Sequence, residues 1–240
     1  MDNAGYTQIT RQSGLLRELQ AIANNIANIS TSGFRREGIV FSEYVRRLDR
    51  QEDTLSMAAA NAHQTYLTQG GLTMTGGALD LAIEGEGFFT IETPQGQAYT
   101  RAGHFTPNAA GELVTVDGLR LLDSGGAPVF VPADAGPVAV SRDGTISAGG
   151  QPLAQLGLVV PDDPSELRRS TGVLHEINGE TRPVAEPVIL QGFLEDSNVN
   201  PITEMARMIE VQRAYEHSQK MMDQEDERIR MVVRVLGQRG

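Results

Sequence analysis

The stretch that decides the fold is residues 200–236, which read NPITEMARMIEVQRAYEHSQKMMDQEDERIRMVVRVL. Asn200 is a favourable helix N-cap, and Pro201 suits the first helical position because a proline lacks the N–H that would be unpaired there. Apolar side chains then recur every seven residues, at Met208, Tyr215, Met222, Ile229 and Leu236. A companion seam is apolar only at its ends, and consists of Met205, Gln212, Gln219, Asp226 and Val233. The pattern predicts one long amphipathic helix.

A second helical pattern lies at the opposite end of the chain. Apolar residues at seven-residue spacing are Ile9, Leu16 and Ala23, then Leu19 and Ile26, with a flanking stripe of Leu15, Ile22 and Ile29. We expect this helix to end at residues 30–33, Ser-Thr-Ser-Gly, because hydroxyl groups compete for backbone hydrogen bonds and glycine accepts a left-handed cap.

The middle of the chain has the composition of short strands separated by turns. All 11 prolines lie between Pro94 and Pro201, and Asp-Gly and Asn-Gly pairs suit hairpin turns. The predicted strands are 88–91, 98–101, 113–116, 119–122, 129–131, 138–140, 156–160 and 188–190. This spacing favours an antiparallel sandwich or barrel. Between the first helix and this region, Phe41, Tyr44, Val45 and Leu48 fit a short amphipathic helix, whereas 65–74 fits an extended segment.

These patterns predict an α+β fold. The N- and C-terminal helices, residues 1–33 and 200–240, would pair as a coiled-coil-like module. Residues 34–75 would form a linker or extension, and residues 76–199 a central, all-β antiparallel domain. Charge follows the same division, because residues 51–199 carry a net charge of −13 within a chain of −11.

Several classes of function are disfavoured by composition. A net charge of −11 argues against a general nucleic-acid-binding protein, whose affinity comes from neutralising phosphates. We expect no membrane insertion, because the apolar stretches fall far short of the ~20 residues that span a bilayer. The first 30 residues lack the basic start and apolar run of a cleavable signal peptide. The chain contains no cysteine, which excludes thiolate metal sites and cysteine nucleophiles.

No catalytic, cofactor-binding or metal site is predicted. Gly85-Glu86-Gly87 begins like a phosphate-binding loop, but Thr90 stands where the third glycine belongs, so a turn before a strand is favoured. The four histidines have no i,i+4 partner or clustered acids, which disfavours a metal site. Paired acids such as Asp162-Asp163 are more typical of a solvated surface than of a glycosidase centre.

The terminal helices themselves are the best candidate for a functional surface. Polar residues interrupt the C-terminal seam, and asparagines lie among the apolar residues of the N-terminal helix, as in polar layers that fix register between packed helices. An isolated pair would be marginal, so we expect the ends to order fully only against neighbouring copies or related chains. The predicted assembly residues are Ile9, Leu16, Leu19, Ala23, Asn24, Asn25, Ile26, Asn28, Met205, Met208, Gln212, Tyr215, Gln219, Met222, Ile229, Val233 and Leu236.

Four stretches, in order along the chain, resemble the axial rod and hook proteins of the bacterial flagellum. They are Leu19–Arg35 (LQAIANNIANISTSGFR); Leu79–Phe89 (LDLAIEGEGFF) with Tyr99–Phe105 (YTRAGHF); Asp143–Ile146 (DGTI); and Gly192–Asn200 (GFLEDSNVN) with Arg213–Glu216 (RAYE). Within that family, the short length argues against the hook protein. The Met1-Asp2 start with Tyr6, and the short segment after Gly33-Phe34, are more similar to a proximal than to a distal rod protein.

The resemblance implies a structural role. Terminal helices would line a hollow, torque-transmitting rod with the β-domain outside, and the partners would be other copies, related rod proteins and the flagellar export apparatus. It also implies a location in the basal body across the periplasm after export without a cleaved signal. Two alternatives remain open on the residues alone: a secreted β-rich binding or filament module with helical tails, and a glycan hydrolase with two carboxylates in a cleft.

Overall fold

The computed structural model describes residues 2–46, 55–132 and 134–237 and has two long helices and 18 short strands in these ranges. The helices are α1 (Asp2–Ala27) and α2 (Pro201–Gly237). The strands are β1 (Glu37–Arg46), β2 (Leu55–Thr65), β3 (Leu72–Met74), β4 (Leu81–Ile83), β5 (Phe88–Thr93), β6 (Gly96–Thr100), β7 (Thr106–Pro107), β8 (Leu113–Val114), β9 (Arg120–Leu121), β10 (Val138–Val140), β11 (Thr145–Ala148), β12 (Gln151–Gln155), β13 (Leu158–Pro161), β14 (Leu167–Arg169), β15 (Leu174–Ile177), β16 (Thr181–Pro183), β17 (Ile189–Gln191) and β18 (Phe193–Glu195). The fold is therefore α+β, as predicted.

The chain divides into two compact units. The first, which we call the helical unit, contains residues 1–27, 37–64 and 200–240, and therefore α1, α2 and the two-stranded sheet of β1 and β2. The second, which we call the β unit, contains residues 28–36 and 65–199. We expected a helical module of residues 1–33 and 200–240, an extension of residues 34–75 and a β domain of residues 76–199. This three-part division stays a prediction.

The β unit is built from antiparallel pairs. Its largest sheet has nine strands, in the order β14-β15-β6-β5-β9-β8-β7, with β13 pairing to β5 and to β16. Three smaller sheets are β10-β11-β12, β17-β4 and β18-β3. The buried core is aliphatic with two phenylalanines, and its members are Leu81, Ile83, Phe89, Ile91, Phe105, Leu113, Leu121, Val129, Val131, Val140, Ile146, Leu156, Leu158 and Ile189. The rings of Phe89 and Phe105 meet edge to face, with centroids 5.4 Å apart.

The predicted strands mostly exist, although their bounds differ. Residues 138–140 form β10 as predicted, and strands β5, β6, β8, β9, β13 and β17 overlap the other expected segments. Residues 129–131 are not a strand, because Phe130 only makes a single bridge to Glu112. Asn178-Gly179 does not close a hairpin, since β15 pairs with β6 and β14 while β16 pairs with β13.

The short amphipathic helix expected after α1 is also wrong. Phe41, Tyr44 and Val45, which fit a helical spacing, lie in strand β1, and Leu48 lies outside the described residues. β1 pairs with the next strand, β2, and this pairing is not visible in the spacing of apolar residues within β1 itself. The expected extended segment at 65–74 begins at the end of β2 and finishes in β3, with irregular backbone between them.

Candidate assembly interface

Within the helical unit, α1 and α2 bury a small apolar cluster between them. Leu15, Ile22 and Val211 are at most 9% exposed. Five partly buried side chains pack around them: Leu19, Ile26, Met208, Ala214 and Tyr215. Along this stretch the two helices therefore cover each other within one chain. The expectation that the ends order fully only against neighbouring copies stays a prediction.

The buried face of α2 follows a seven-residue repeat, but a different one from the predicted companion seam. Glu204, Val211 and Ser218 are buried at seven-residue spacing, and Met208, Tyr215 and Met222 beside them are half-buried. The predicted companion residues Met205, Gln212, Gln219 and Val233 are exposed instead. In α1, likewise, the buried stripe contains Leu15 and Ile22, and the adjacent positions Leu16 and Ala23 are exposed.

A buried asparagine joins three segments of the helical unit. The amide nitrogen of Asn25 donates to the carbonyl oxygen of Glu37 over 2.8 Å and to a carboxylate oxygen of Glu204 over 3.1 Å. Its oxygen accepts the Glu37 backbone N–H over 2.9 Å. Asn25 is completely buried, and both of its amide hydrogens are used within the chain. Its predicted role in assembly stays a prediction.

An ion pair adds a second polar contact between the helices. Arg207 on α2 donates to the carboxylate of Glu18 on α1, with nitrogen–oxygen distances of 2.6 and 2.7 Å. The hydrogen bonds that Arg207 donates to Glu18 and Glu210 raise its pKa. Glu18 is only 8% exposed, whereas the Arg207 side chain is 48% exposed, so water screens the pair in part and the contact adds modestly to the register of α1 on α2.

The last part of α2 has no covering residues in the described structure. From residue 226 to 237 every residue is exposed. Six of these side chains are large and apolar: Ile229, Met231, Val232, Val233, Val235 and Leu236. Single exposed apolar residues are normal on a protein surface, whereas a continuous patch of this kind marks an interaction site.

The 17 predicted assembly residues therefore fall into three groups. Asn25, Leu19, Ile26, Met208, Tyr215 and Met222 are wholly or partly buried, Asn25 and four of the others in contacts between the helices. Asn24 and Asn28 are half-buried. Nine are exposed: Ile9, Leu16, Ala23, Met205, Gln212, Gln219, Ile229, Val233 and Leu236. Only these nine exposed side chains are fully available to contact another subunit, and their role in assembly stays a prediction.

The β unit contains a buried charge cluster that sequence reasoning missed. Arg35 Nη1 lies 2.6 Å from Glu195 Oε1, and Arg101 Nη1 lies 3.5 Å from Glu195 Oε2. The Glu195 carboxylate also accepts the Gly70 backbone N–H over 2.9 Å. Arg35, Arg101 and Glu195 are each at most 3% exposed, so two buried cations share one buried carboxylate.

The surroundings of the cluster fix residues 33–36. Arg169 lies over the Phe34 ring, 4.1 Å from its centroid, and donates to the Arg35 carbonyl oxygen. The side chain of Asn198 accepts the Arg36 backbone N–H over 2.6 Å and donates to the carbonyl oxygens of Tyr66 and Thr68. These contacts hold residues 33–36 against Arg169 and Asn198, which lie more than 100 residues further along the chain.

Burial perturbs the titration of the cluster. Desolvation lowers the pKa of Arg35, although the Glu195 carboxylate opposes this effect. Desolvation also lowers the pKa of Arg101 to about 10, and the neighbouring charge of Arg35 adds to the shift. The only sequence signal for the cluster was that each charged residue lies in an apolar or glycine-containing motif: Gly33-Phe34-Arg35, Tyr99-Thr100-Arg101 and Phe193-Leu194-Glu195.

Two features are absent from the described residues. No group of three or more histidine, cysteine, aspartate or glutamate residues there is placed to hold a metal ion. In the same part of the chain, neither helix is long and apolar enough to cross a membrane.

Comparison with known proteins decides the family. Three family models match: the flagella basal body rod protein model over residues 6–35, the flagellar hook protein FlgE/F/G D1 domain over 82–148, and the flagellar basal body rod FlgEFG protein C-terminal model over 190–235. The chain is 41% identical to the flagellar basal-body rod protein FlgF of Caulobacter vibrioides, and the alignment covers 99% of each chain. The chain belongs to the flagellar basal-body rod protein family.

Other members of the rod protein family rank in the order that the sequence resemblance predicted. FlgF of Rhizobium meliloti is 35% identical over 99% of both chains. FlgG of Bacillus subtilis is 30% identical over 95% of this chain and 97% of its own length. The resemblance to rod proteins, closer to FlgF than to FlgG, is therefore confirmed. The matched models include most of α1, most of α2 and the Arg35–Arg101–Glu195 cluster.

Proposed function

We propose that this chain is a structural subunit of the flagellar basal-body rod and joins it through α1 and α2. The helices would pack against other copies and related rod proteins to form the hollow shaft that transmits torque. The observation that carries the proposal is the exposed apolar end of α2, residues 226–237, in a protein similar over its full length to rod proteins.

The internal contact of α1 with α2 supports a coiled-coil-like helical pair. Buried positions on α2 repeat every seven residues, at Glu204, Val211 and Ser218, which is the spacing of a left-handed helical pair. The buried Asn25 supplies the polar layer that fixes register in such a pair at a cost in stability. The pair would enter the rod as one preformed element.

The exposed part of α2 presents apolar side chains over a wide arc. Ile229, Val233 and Leu236 are spaced to share one helix face, and Met231 and Val235 extend that face to one side. An arc wider than a single seam suits a helix that is covered by more than one neighbour. Residues 226–237 would therefore be buried only in the assembled rod.

Family membership also supports the cellular context. A rod subunit would be located in the basal body across the periplasm and would reach it through the flagellar export apparatus without a cleaved signal peptide. The proposal gives the chain no enzymatic reaction, no cofactor, no nucleic-acid partner and no membrane-inserted segment. Its partners are other axial subunits and the export apparatus.

The test places one charge on the exposed apolar face. In Ile229→Asp, assembly would bury an unpaired carboxylate, which costs several kcal/mol, so recovery of the chain in purified basal bodies should fall at least about tenfold. Gln224→Asp adds the same charge at an exposed polar position of α2 and should be incorporated normally. Both purified monomers should keep wild-type circular dichroism. Normal incorporation of Ile229→Asp would overturn the proposed interface.

A further inference from the structure

A cavity of about 390 Å³ lies in the β unit, directly beside the buried charge cluster. Arg35 and Arg101 lie in its buried wall, and both are at most 3% exposed. Leu67, Phe88 and Val160 supply apolar wall. The volume falls within the range of cavities that hold small molecules or single side chains.

The buried side of this cavity carries uncompensated positive charge. Arg35 and Arg101 share the single carboxylate of Glu195. Among the residues that the structure describes, Nε and Nη2 of Arg35 and Nε of Arg101 have no hydrogen-bond partner. The pKa of Arg101 is lowered to about 10, because desolvation and the nearby charge of Arg35 both oppose its protonated form. An anion in the cavity would offset this cost.

The acids on the cavity wall do not neutralise the buried cations. The charge of Glu86 raises the pKa of Arg101, but desolvation outweighs this effect, because Glu86 is exposed and its charge is screened by water. Asp162 is about half exposed and already pairs with Arg182, whose Nε lies 3.3 Å from a carboxylate oxygen. The rim, with Glu86, Asp162 and Arg182, carries a net charge of −1, whereas the buried side, with Arg35, Arg101 and Glu195, carries +1.

The guanidinium groups and the apolar wall of the cavity indicate which class of anion would bind there. Guanidinium groups favour planar oxyanions, and an apolar wall favours a carbon skeleton over a small, strongly hydrated ion. We infer that this cavity is a binding site for a carboxylate carried on a short carbon chain. The carboxylate belongs either to an acidic side chain of another protein chain or to a free small molecule, and the inference does not depend on the proposed rod function.

The first test titrates the full chain with valerate and with its neutral isostere valeramide at constant ionic strength, and follows backbone amide shifts by NMR. Valerate should cause saturable shifts at Gly85, Glu86 and Phe88 at concentrations up to about 50 mM. Valeramide should bind at least about fivefold more weakly, because it lacks the charge. Equal effects of the two compounds, or no saturable shift with valerate, would overturn the inference.

Two pairs of variants localise the effect. Arg182→Gln removes an exposed cation at the rim and should weaken valerate binding roughly threefold to tenfold, whereas Arg120→Gln, in an exposed ion-pair network elsewhere, should not. Leu67→Glu introduces a carboxylate into the wall of the cavity. This carboxylate should occupy the site and abolish valerate binding. Because it should also interact favourably with the buried arginines, Leu67→Glu should unfold at a higher temperature than Leu67→Gln. Equal melting temperatures for the two Leu67 variants would contradict a cationic cavity.

Recovery of the variants in basal bodies purified from cells distinguishes a carboxylate of a neighbouring protein chain from that of a free small molecule. Loss of Arg182→Gln or Leu67→Glu from purified basal bodies, with Arg120→Gln retained, would assign the carboxylate to a neighbouring protein chain. Retention of all three variants, together with valerate binding by the monomer, would assign it to a free small molecule.

Discussion

Arg35 and Glu195 form an ion pair in which Nη1 and Oε1 are 2.6 Å apart, and neither side chain is more than 1% exposed. They come from segments 160 residues apart, and Arg101 approaches the same carboxylate. The carboxylate therefore holds the segment after α1 to strand β18 of the β unit. Removing its charge would leave two buried guanidinium groups without a counterion.

Glu195→Gln tests this dependence. We expect the free energy of unfolding of the β unit to fall by about 3–5 kcal/mol, the usual cost of breaking a buried pair on one side. Urea unfolding monitored by circular dichroism measures the change. Glu180→Gln makes the same substitution at an exposed position and should stay within about 0.5 kcal/mol of the wild type. Equal stability of the two variants would show that the pair does not support the fold.

Gly33 and Gly118 form a second matched test, because both have positive φ, +71° and +79°. A Cβ at Gly33 would lie 2.2 Å from the Ala102 backbone nitrogen, whereas a Cβ at Gly118 would meet nothing within 4 Å. Gly118→Ala should cost only the backbone strain, about 1–2 kcal/mol. Gly33→Ala should cost about 3–5 kcal/mol, because overpacking against a rigid strand end is added. Thermal unfolding compares the two, and similar losses would contradict the close approach.

The stability of the β unit should depend on pH through His175. Burial lowers the pKa of His175 from 6.5 to about 3, and the nearby Arg169 charge acts in the same direction. Between these values the unfolded chain binds a proton that the native protein excludes. The free energy of unfolding should therefore fall as the pH drops from 6.5 towards 3, by at most about 1.4 kcal/mol per pH unit.

Chemical unfolding at a series of pH values measures this slope. His175→Phe removes the titrating group and keeps an aromatic ring beside Phe88. In this variant the free energy of unfolding should therefore depend less steeply on pH than in the wild type. His217→Gln changes an exposed histidine and should leave the wild-type slope unchanged. An unchanged slope in His175→Phe would mean that other groups cause the acid sensitivity.

The local signals in the sequence predicted the helices well. The oxygen of Asn200 caps α2 by accepting the N–H groups of Ile202 and Thr203, and α2 extends through the whole heptad pattern. Gly33 is left-handed as predicted, although α1 ends at Ala27, shortly before the predicted end at residues 30–33. Capping and periodicity act over a few residues, so one sequence can reveal them.

The errors concern choices that depend on distant partners. Leu15 and Leu16 are adjacent and equally apolar, and only packing against α2 decides that Leu15 is buried. Glu195 has the appearance of a solvated acid in the sequence, and its role depends on an arginine 160 residues away. Long-range pairing is the information that local patterns lack.

The central claim is that residues 226–237 are an uncovered surface that other axial subunits bury. Amide hydrogen exchange of the full chain, as purified monomer and in isolated rods, tests it most directly. We expect peptides from 204–222 to be protected in both samples, and peptides from 226–237 to exchange rapidly in the monomer and slowly in the rod. Strong protection of 226–237 in the monomer, or rapid exchange of these residues in the rod, would contradict the account.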